Sequence, residues 1–236
     1  MQNELIIIRN LLCSTVEKNF TNTKLFFKTS KGQYAEHDQF IGVSVIHIRS
    51  LAKQFKGLSL DLLSTLIQSA FNEERLLALF ILILQYKKAD TTEQKRLYDF
   101  YLHNIAYINN WNLVDSSAHL IVGAYVQNKD KSILSTLAQS PYWWHRRIAI
   151  VATWYFTKQG DTDHTFYIAT LLLYDTHDLI HKAVGWMLRE SGKKNKAQLI
   201  QFLDVHALYM PRTMVRYATE KFDQSLKQKY FLKKNV

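Results

Sequence analysis

The chain has 236 residues, and its 30 lysines and arginines exceed its 20 acidic residues to give a formal net charge of +10. A hydrophobic content of 47% excludes an intrinsically disordered protein, because disordered chains lack the apolar surface that offsets the entropy of ordering. Seven glycines and two prolines are too few for a loop-rich β-sandwich or barrel, and a single cysteine, Cys13, excludes an internal disulfide framework.

The apolar runs are too short to cross a membrane. The longest, Leu76–Leu84 and Ile148–Phe156, have nine residues each, whereas a helical span needs about 20. The N-terminal run Leu5–Ile8 is too short for the apolar core of a secretory signal. We therefore expect an intracellular, cytoplasmic protein with no membrane partner. We also expect the thiol of Cys13 to be buried. The surplus of positive charge predicts a polyanionic partner.

Apolar residues recur at helical spacing from about residue 40 onward. The segment 71–87 predicts a helix that begins with acidic residues and ends with lysines, a polarity that suits the helix dipole. Further helices are predicted over 92–103, 111–127, 130–139, 143–158, 161–174, 177–190, 195–204, 211–222 and 223–231. We expect one domain over 1–236, with an N-terminal helical cap over 1–25 and a basic C-terminal helix and tail over 223–236.

Five of the predicted helices can be superimposed on one another. Their aligned polar position is occupied by Arg75, Asp115, Arg147, Lys182 and Arg216, at steps of 40, 32, 35 and 34 residues. Helix pairs at a period of roughly 30–45 residues are typical of HEAT-type repeats, which bury their apolar faces by stacking on neighbours. The sequence therefore predicts an all-α fold, a curved α-solenoid of HEAT-like repeats. The alternative is an irregular helical bundle with an accidental period.

The aligned position has a chemical consequence if the repeats curve. Equivalent positions would then line one concave surface, with four cations around the single carboxylate of Asp115. Such a basic track suits the phosphate backbone of a nucleic acid. Arg212 lies one helical turn before Arg216, and this pair is either a phosphate clamp at the end of the track or a solvated helix face.

Trp111 and Asp115 are four residues apart, so they share one face of a helix, and Trp186 lies in an equivalent helix. A carboxylate beside indole rings suits a positively charged reacting group, because the rings attract cations and the carboxylate stabilises developing charge. The alternative is that both tryptophans belong to the core.

Four blocks in chain order, FIGVSVIHIRSLAK, INNWNLVDSS, WWHRRIAIV and HKAVGWMLRE, resemble those of the AlkD-like DNA alkylation repair family. The resemblance extends from about Phe26 to Phe222. It implies a curved stack of HEAT-like repeats and a DNA glycosylase that removes cationic N3- and N7-alkylated purines by hydrolysis, without metal or cofactor. It also implies that no base is drawn into a pocket, which departs from the general rule for enzymes that act on bases.

The resemblance further implies roles for single residues. Asp115 matches the catalytic aspartate, Trp111 and Trp186 match the cleft tryptophans, and Arg147 matches the arginine that contacts DNA beside the lesion. An N-terminal cleft aromatic is either Phe27 or Tyr34. The implied partner is alkylated double-stranded DNA, bound by a monomer that is associated with the nucleoid. The alternative function is a non-catalytic HEAT-repeat module that binds damaged or branched DNA.

A pair of histidines also has spacing that can bind zinc. His177 and His181 lie four residues apart, but with Asp178 between them they match the zincin pattern imperfectly. We favour a role of these residues in starting and packing a helix, and we predict no metal site.

Overall fold

A computed structural model describes residues 2–14 and 26–231. The regular elements in these ranges are helices, and an isolated parallel β-bridge joins Gln39 to Phe71. The prediction of an all-α fold is confirmed. The predicted N-terminal cap is helical over its described part, residues 2–14, while 15–25 and the C-terminal 232–236 lie outside the described residues.

The chain divides into two compact units, Met1–Ser117 and Ala118–Val236. Stacked repeats divide readily in this way because each repeat contacts mainly its neighbours. The single domain over 1–236 therefore stays a prediction, and the units are described separately below.

Over its described residues, the first unit contains six α-helices, of which the second, fourth and sixth line a pocket. In chain order they are α1 (Gln2–Ser14), α2 (Val45–Gln54), α3 (Leu60–Ile67), α4 (Asn72–Tyr86), α5 (Thr91–His103) and α6 (Trp111–Ala118), whose last residue begins the second unit. Helix α4 lies at the centre of this unit, packed against α2, α3 and α5, and its side chains are buried almost without interruption. This burial explains why its sequence, NEERLLALFILILQY, is apolar on all sides after the first turn.

The second unit continues with a π-helical turn, His119–Gly123, and further α-helices. These are α7 (Ala124–Val126), α8 (Ser132–Ala138), α9 (Trp143–Ala152), α10 (Trp154–Lys158), α11 (Asp163–Leu171), α12 (Asp178–Lys194), α13 (Lys196–His206), α14 (Arg212–Ala218) and α15 (Gln224–Phe231). The predicted helix over 143–158 is interrupted at Thr153, whose hydroxyl donates to the carbonyl of Ile150 at 2.7 Å. Such back-bonding competes with the regular helical hydrogen bond.

In the second unit, the helices that carry the recurring polar position pack side by side. Helix α9 packs on α8 and α12, and α12 packs in turn on α14. The closest approach is at Gly185 of α12, where an added Cβ would lie 2.5 Å from the carbonyl oxygen of Met214 in α14. Glycine is therefore required here by the distance between two helices.

The predicted repeat position recurs at the same place in its helices. Asp115, Arg147, Lys182 and Arg216 each lie four residues after the first residue of α6, α9, α12 and α14, respectively. Arg75 lies three residues after the start of α4. The period read from the sequence thus corresponds to a recurring helical element, as expected of an α-solenoid.

Two further expectations can be compared with the structure. No helix in the described ranges combines the length and apolarity that a membrane crossing requires. Cys13 is exposed, so the expectation of a buried thiol is wrong. Its helix α1 buries a different face, which includes Ile8 and Leu12.

Candidate functional site

A pocket of about 460 Å³ lies within the first unit, between the start of α6 and the segment that precedes α2. Trp111 and Asp115 of α6 both line it, and Phe27 lines it beside Trp111. Trp111 and Asp115 are half-buried and four residues apart on one helix, so the predicted shared face is present and open to this pocket.

Aromatic rings form one wall of the pocket. Phe27 stacks on Trp111, with ring centroids 5.2 Å apart and planes 15° from parallel, and it also stacks on Phe40 at 4.5 Å. Phe26 meets Trp111 edge-on at 5.3 Å. Of the two alternatives for an N-terminal aromatic, the structure therefore brings Phe27 to Trp111, whereas Tyr34 does not line the pocket.

The buried carboxylate of Asp38 links the N-terminal segment of the aromatic wall to α4 and to the start of α6. It accepts hydrogen bonds from the side-chain amides of Asn72 at 2.9 Å and Asn110 at 2.5 Å, and it is paired with the Arg75 guanidinium and with His37. Asn110 directly precedes Trp111, so the network fixes the start of α6 relative to α4 and the N-terminal segment.

The charge of Asp38 is stabilised by these partners. Burial by itself would raise the pKa of this carboxyl, but the hydrogen bond from His37, the Arg75 charge and the Asn110 amide outweigh it and hold the pKa below its ordinary value. The same contact raises the pKa of His37, because its hydrogen bond to Asp38 favours the protonated ring over the cost of burial. Both groups are therefore favoured in their charged forms.

A second buried acid, Glu73, shapes the floor of the pocket. Its two carboxylate oxygens accept the backbone N–H groups of Ile41 at 3.0 Å and Gly42 at 2.8 Å. Gly42 has a φ of 101°, a left-handed conformation that other residues adopt at a cost, so the turn depends on this glycine. Asn112, next to Trp111, donates to the Asn72 side-chain oxygen at 2.7 Å.

Arg75 differs from the expectation of an exposed cation on a basic track. Only 3% of its surface is exposed, and its guanidinium is paired with Asp38. Arg75 lies on α4, the buried helix at the centre of the unit. At this repeat position the cation therefore pairs with a side chain inside the protein. Arg75 thus supports the pocket wall and is not placed to meet a phosphate.

The second unit carries the other predicted residues. Trp186 of α12 is half-buried and meets Trp154 edge-on at 5.0 Å, and Trp154 in turn lies 4.6 Å from His119. Arg147 of α9 is 5% exposed, and its guanidinium donates to the backbone carbonyl of Leu179. Arg147 is thus largely buried, whereas a residue that binds a phosphate of DNA is expected to be exposed.

The remaining predicted cations are at the surface of the second unit. Lys182 pairs with Asp178 at 2.6 Å, one turn earlier in α12. Arg212 donates to the carbonyl of Phe231 at 3.1 Å and lies over its ring, so it fastens α15. Arg216 is exposed. Exposure along the predicted track therefore varies from one repeat to the next, because neighbouring helices cover some positions and not others.

The two histidines at zinc-binding spacing have structural partners. The ring of His177 caps α12 by accepting the Leu179 N–H at 3.2 Å, and it stacks on Trp143 with centroids 3.9 Å apart. His181 donates to the carbonyl of Asp175 at 2.5 Å. Within residues 2–14 and 26–231, no group of three metal-ligating side chains comes together.

Sequence reasoning missed several residues of the pocket. Glu73 and Phe40 line it, and Asp38 is bonded to Asn110 next to Trp111, yet none of the three stands in a recognisable spacing with Trp111. The signal that exists is the polar start of an otherwise apolar helix, NEER at 72–75, because buried polar groups need partners.

These features define a helical-repeat protein with an aromatic pocket beside a carboxylate. The chain matches the family model described as "DNA alkylation repair enzyme" over residues 10–222, and it belongs to that family. A solved structure titled as a predicted DNA alkylation repair enzyme from Enterococcus faecalis is similar in fold, with a TM-score of 0.67 at 16% identity. The similarity covers 89% of this chain and 98% of that one. No curated protein sequence matches.

Proposed function

We propose that this protein is an AlkD-like DNA glycosylase that hydrolyses the N-glycosidic bond of cationic N3- and N7-alkylated purines in duplex DNA. Membership of the DNA alkylation repair family supports a DNA repair enzyme. The proposal further assigns a monomer that acts inside the cell on the nucleoid, without a cofactor.

One observation carries the reaction type: Asp115 and Trp111 face the same pocket from the first turns of α6. As the glycosidic bond breaks, its electron pair passes to the alkylated purine and neutralises that ring, while positive charge develops on the sugar. A carboxylate stabilises such an oxocarbenium-like centre and orients the attacking water. The leaving purine needs no proton, because it already carries the positive charge that departure removes.

The other residues have supporting roles in this proposal. Trp111 and Trp186 pack against the deoxyribose and backbone of the damaged nucleotide. Lys182, Arg212 and Arg216 supply surface charge for the phosphates. Arg147 is only 5% exposed, so a contact with DNA beside the lesion requires its guanidinium to become accessible.

The direct test is incubation of the protein with duplex DNA that contains 7-methylguanine or 3-methyladenine, followed by measurement of the released base. We expect release well above the spontaneous rate. Binding of the DNA without release at excess protein would contradict the proposal and favour a non-catalytic module that binds damaged or branched DNA.

A further inference from the structure

A smaller pocket, of about 160 Å³, lies within the second unit, where α12 ends, α13 begins and α14 ends. Gly192 lets α13 come close to α12, because an added Cβ would lie 2.3 Å from Cδ2 of Leu199. Of the described residues that line this pocket, none is acidic and four are cations: Arg189, Lys193, Lys196 and Lys221. Like charges around one small cavity repel one another, so the lining is complementary to an anion.

The acids nearby offset only part of this charge. Glu190 and Glu220 do not line the pocket, but they form ion pairs with three of the four cations. Four cations and two acids leave a charge of +2. The fourth cation, Lys196, forms no ion pair within the described ranges, and its ammonium lies 5.7 Å from the centre of the Phe222 ring.

The position of Lys196 is unfavourable unless an anion is close to it. Lys196 is the first residue of α13, at the end of the helix where the dipole favours negative charge. Lys193 is in the last turn of α12, where the dipole favours a cation. Stabilisation of helix ends therefore explains Lys193 but not Lys196. An anion in the pocket would meet both the Lys196 ammonium and the positive end of α13.

The walls and the volume of the pocket indicate the kind of anion. The Nε of Arg189 is buried and makes no hydrogen bond to the described residues, although an oxygen of Glu190 lies 3.5 Å away. The guanidinium thus has donor capacity that the protein leaves unused, and arginine and lysine together are typical of phosphate sites. A volume of about 160 Å³ is below the roughly 300 Å³ of a pocket that encloses a small molecule, but it accommodates one phosphate group.

We propose that this pocket binds a single phosphate group, carried either by the DNA backbone or by a free phosphorylated compound. Lys196 and Arg189 are its assigned donors, and the remainder of the ligand stays outside the pocket. The site is separate from the recurring polar position, because Lys193 follows Lys182 by eleven residues, about 16 Å along α12. The inference does not depend on the glycosylase activity proposed above.

Lys196→Gln is the sharpest variant, because it removes an exposed charge and breaks no ion pair among the described residues. Lys194→Gln is the matched control, since it removes the same charge from an exposed position two residues earlier that does not line the pocket. Thermal unfolding establishes that both variants are folded. Without phosphate, Lys196→Gln should be at least as stable as wild-type protein, because a cation leaves the start of α13.

The first measurement is a titration with inorganic phosphate, which replaces chloride at constant ionic strength and pH, followed by the amide NMR shifts of Gly192 and Leu199. We expect saturable shifts of equal affinity in wild-type protein and Lys194→Gln, and affinity about tenfold lower in Lys196→Gln. The absence of saturable shifts in wild-type protein, or equal affinities in the two variants, overturns the assignment.

The second measurement identifies the source of the phosphate, by fluorescence anisotropy of undamaged duplex DNA across a salt series. If the DNA backbone supplies it, Lys196→Gln lowers the magnitude of the salt slope by about 0.9 relative to Lys194→Gln. If a free phosphorylated compound supplies it, the two variants have the same slope, and inorganic phosphate still shifts Gly192 in the DNA complex. Each result supports the site and names its ligand.

Discussion

At the scale of single residues, the position of Asp115 matters more than its charge alone. It is half-buried, on the same helix face as Trp111, in a pocket whose other acid, Glu73, is engaged by two backbone N–H groups. Glu73 thus has its oxygens occupied by the turn at Gly42. Of the two acids, Asp115 is the one we assign to the reaction.

We predict that Asp115→Asn slows excision of 7-methylguanine by about 10²–10³-fold, because the amide cannot stabilise a developing positive charge. Single-turnover rates at saturating protein measure this effect. Asp61→Asn is the control, since it removes the same charge from an exposed position of α3 in the same unit. Equal rates for wild-type protein and Asp115→Asn would exclude the assigned role.

Asp38 is the residue on which the pocket wall depends. Asp38→Asn leaves the buried Arg75 guanidinium without its counter-charge, and loss of one partner of a buried pair costs about 3–5 kcal/mol. We expect this decrease in the free energy of unfolding by chemical denaturation. Asp99→Asn, which breaks the exposed pair with Lys95, should cost less than about 1 kcal/mol.

The effect of Asp38 should also depend on pH. Its pKa is lowered in the folded protein from an ordinary value of about 3.9, so its stabilising contribution is present above about pH 4. The contribution is lost as the pH falls through the lower folded-state pKa. The contribution of His37, whose pKa is raised by Asp38, is present below about pH 6.5 and is lost as the pH rises through its folded-state pKa. The stability difference between wild-type protein and Asp38→Asn should therefore be largest between about pH 4 and pH 6.5, shrink below pH 4 and decrease above pH 6.5. A difference that grows as the pH falls below about 4 would contradict this assignment.

At the scale of helices, close packing in the second unit depends on residues that leave room for a neighbour. Gly185 of α12 faces the backbone of α14, and an added Cβ would also lie 2.5 Å from the Cβ of Tyr217. Helix backbones cannot shift locally without moving the side chains around them, because interiors are close-packed. The α12–α14 contact is therefore sensitive to a single methyl group.

We predict that Gly185→Ala destabilises the protein by about 1–3 kcal/mol through overpacking, despite the higher helix propensity of alanine. Thermal and chemical unfolding measure the change. Gly57→Ala is the matched control, because nothing lies within 4 Å of the Cβ that it adds. A Gly185→Ala variant as stable as Gly57→Ala would show that α12 and α14 are farther apart than described.

At the scale of the whole molecule, the net charge of +10 favours binding to DNA. Only some of the cations on the predicted basic track are exposed, however. Arg75 and Arg147 are buried, whereas Arg216 is exposed. Affinity for DNA should fall linearly with salt on logarithmic axes, with a slope set by the number of phosphates neutralised. The slope thus counts the cations that reach the backbone.

We predict that Arg216→Gln lowers the magnitude of this slope by about 0.9, the amount expected for one lost phosphate contact. Fluorescence anisotropy of labelled duplex DNA across a salt series measures it. Arg96→Gln serves as control, since Arg96 is exposed on α5 and already bonded to Glu93. A slope unchanged in Arg216→Gln would assign this arginine to a solvated helix face.

The sequence by itself determined the features that depend on neighbours along the chain. Helical periodicity predicted the all-α class, most helices and the recurring polar position, and the four-residue spacing placed Trp111 and Asp115 on one face. These inferences succeed because hydrophobic periodicity and side-chain spacing are local properties of a helix.

Only the tertiary structure decided which of these residues are exposed and what surrounds them. Asp38 meets Arg75 across 37 positions of sequence, Phe27 rather than Tyr34 reaches Trp111, and Cys13 is exposed. One recurring helical position holds both a buried Arg75 and an exposed Arg216. Burial depends on the packing of segments distant in the sequence, and helical periodicity carries no information about which of those segments meet.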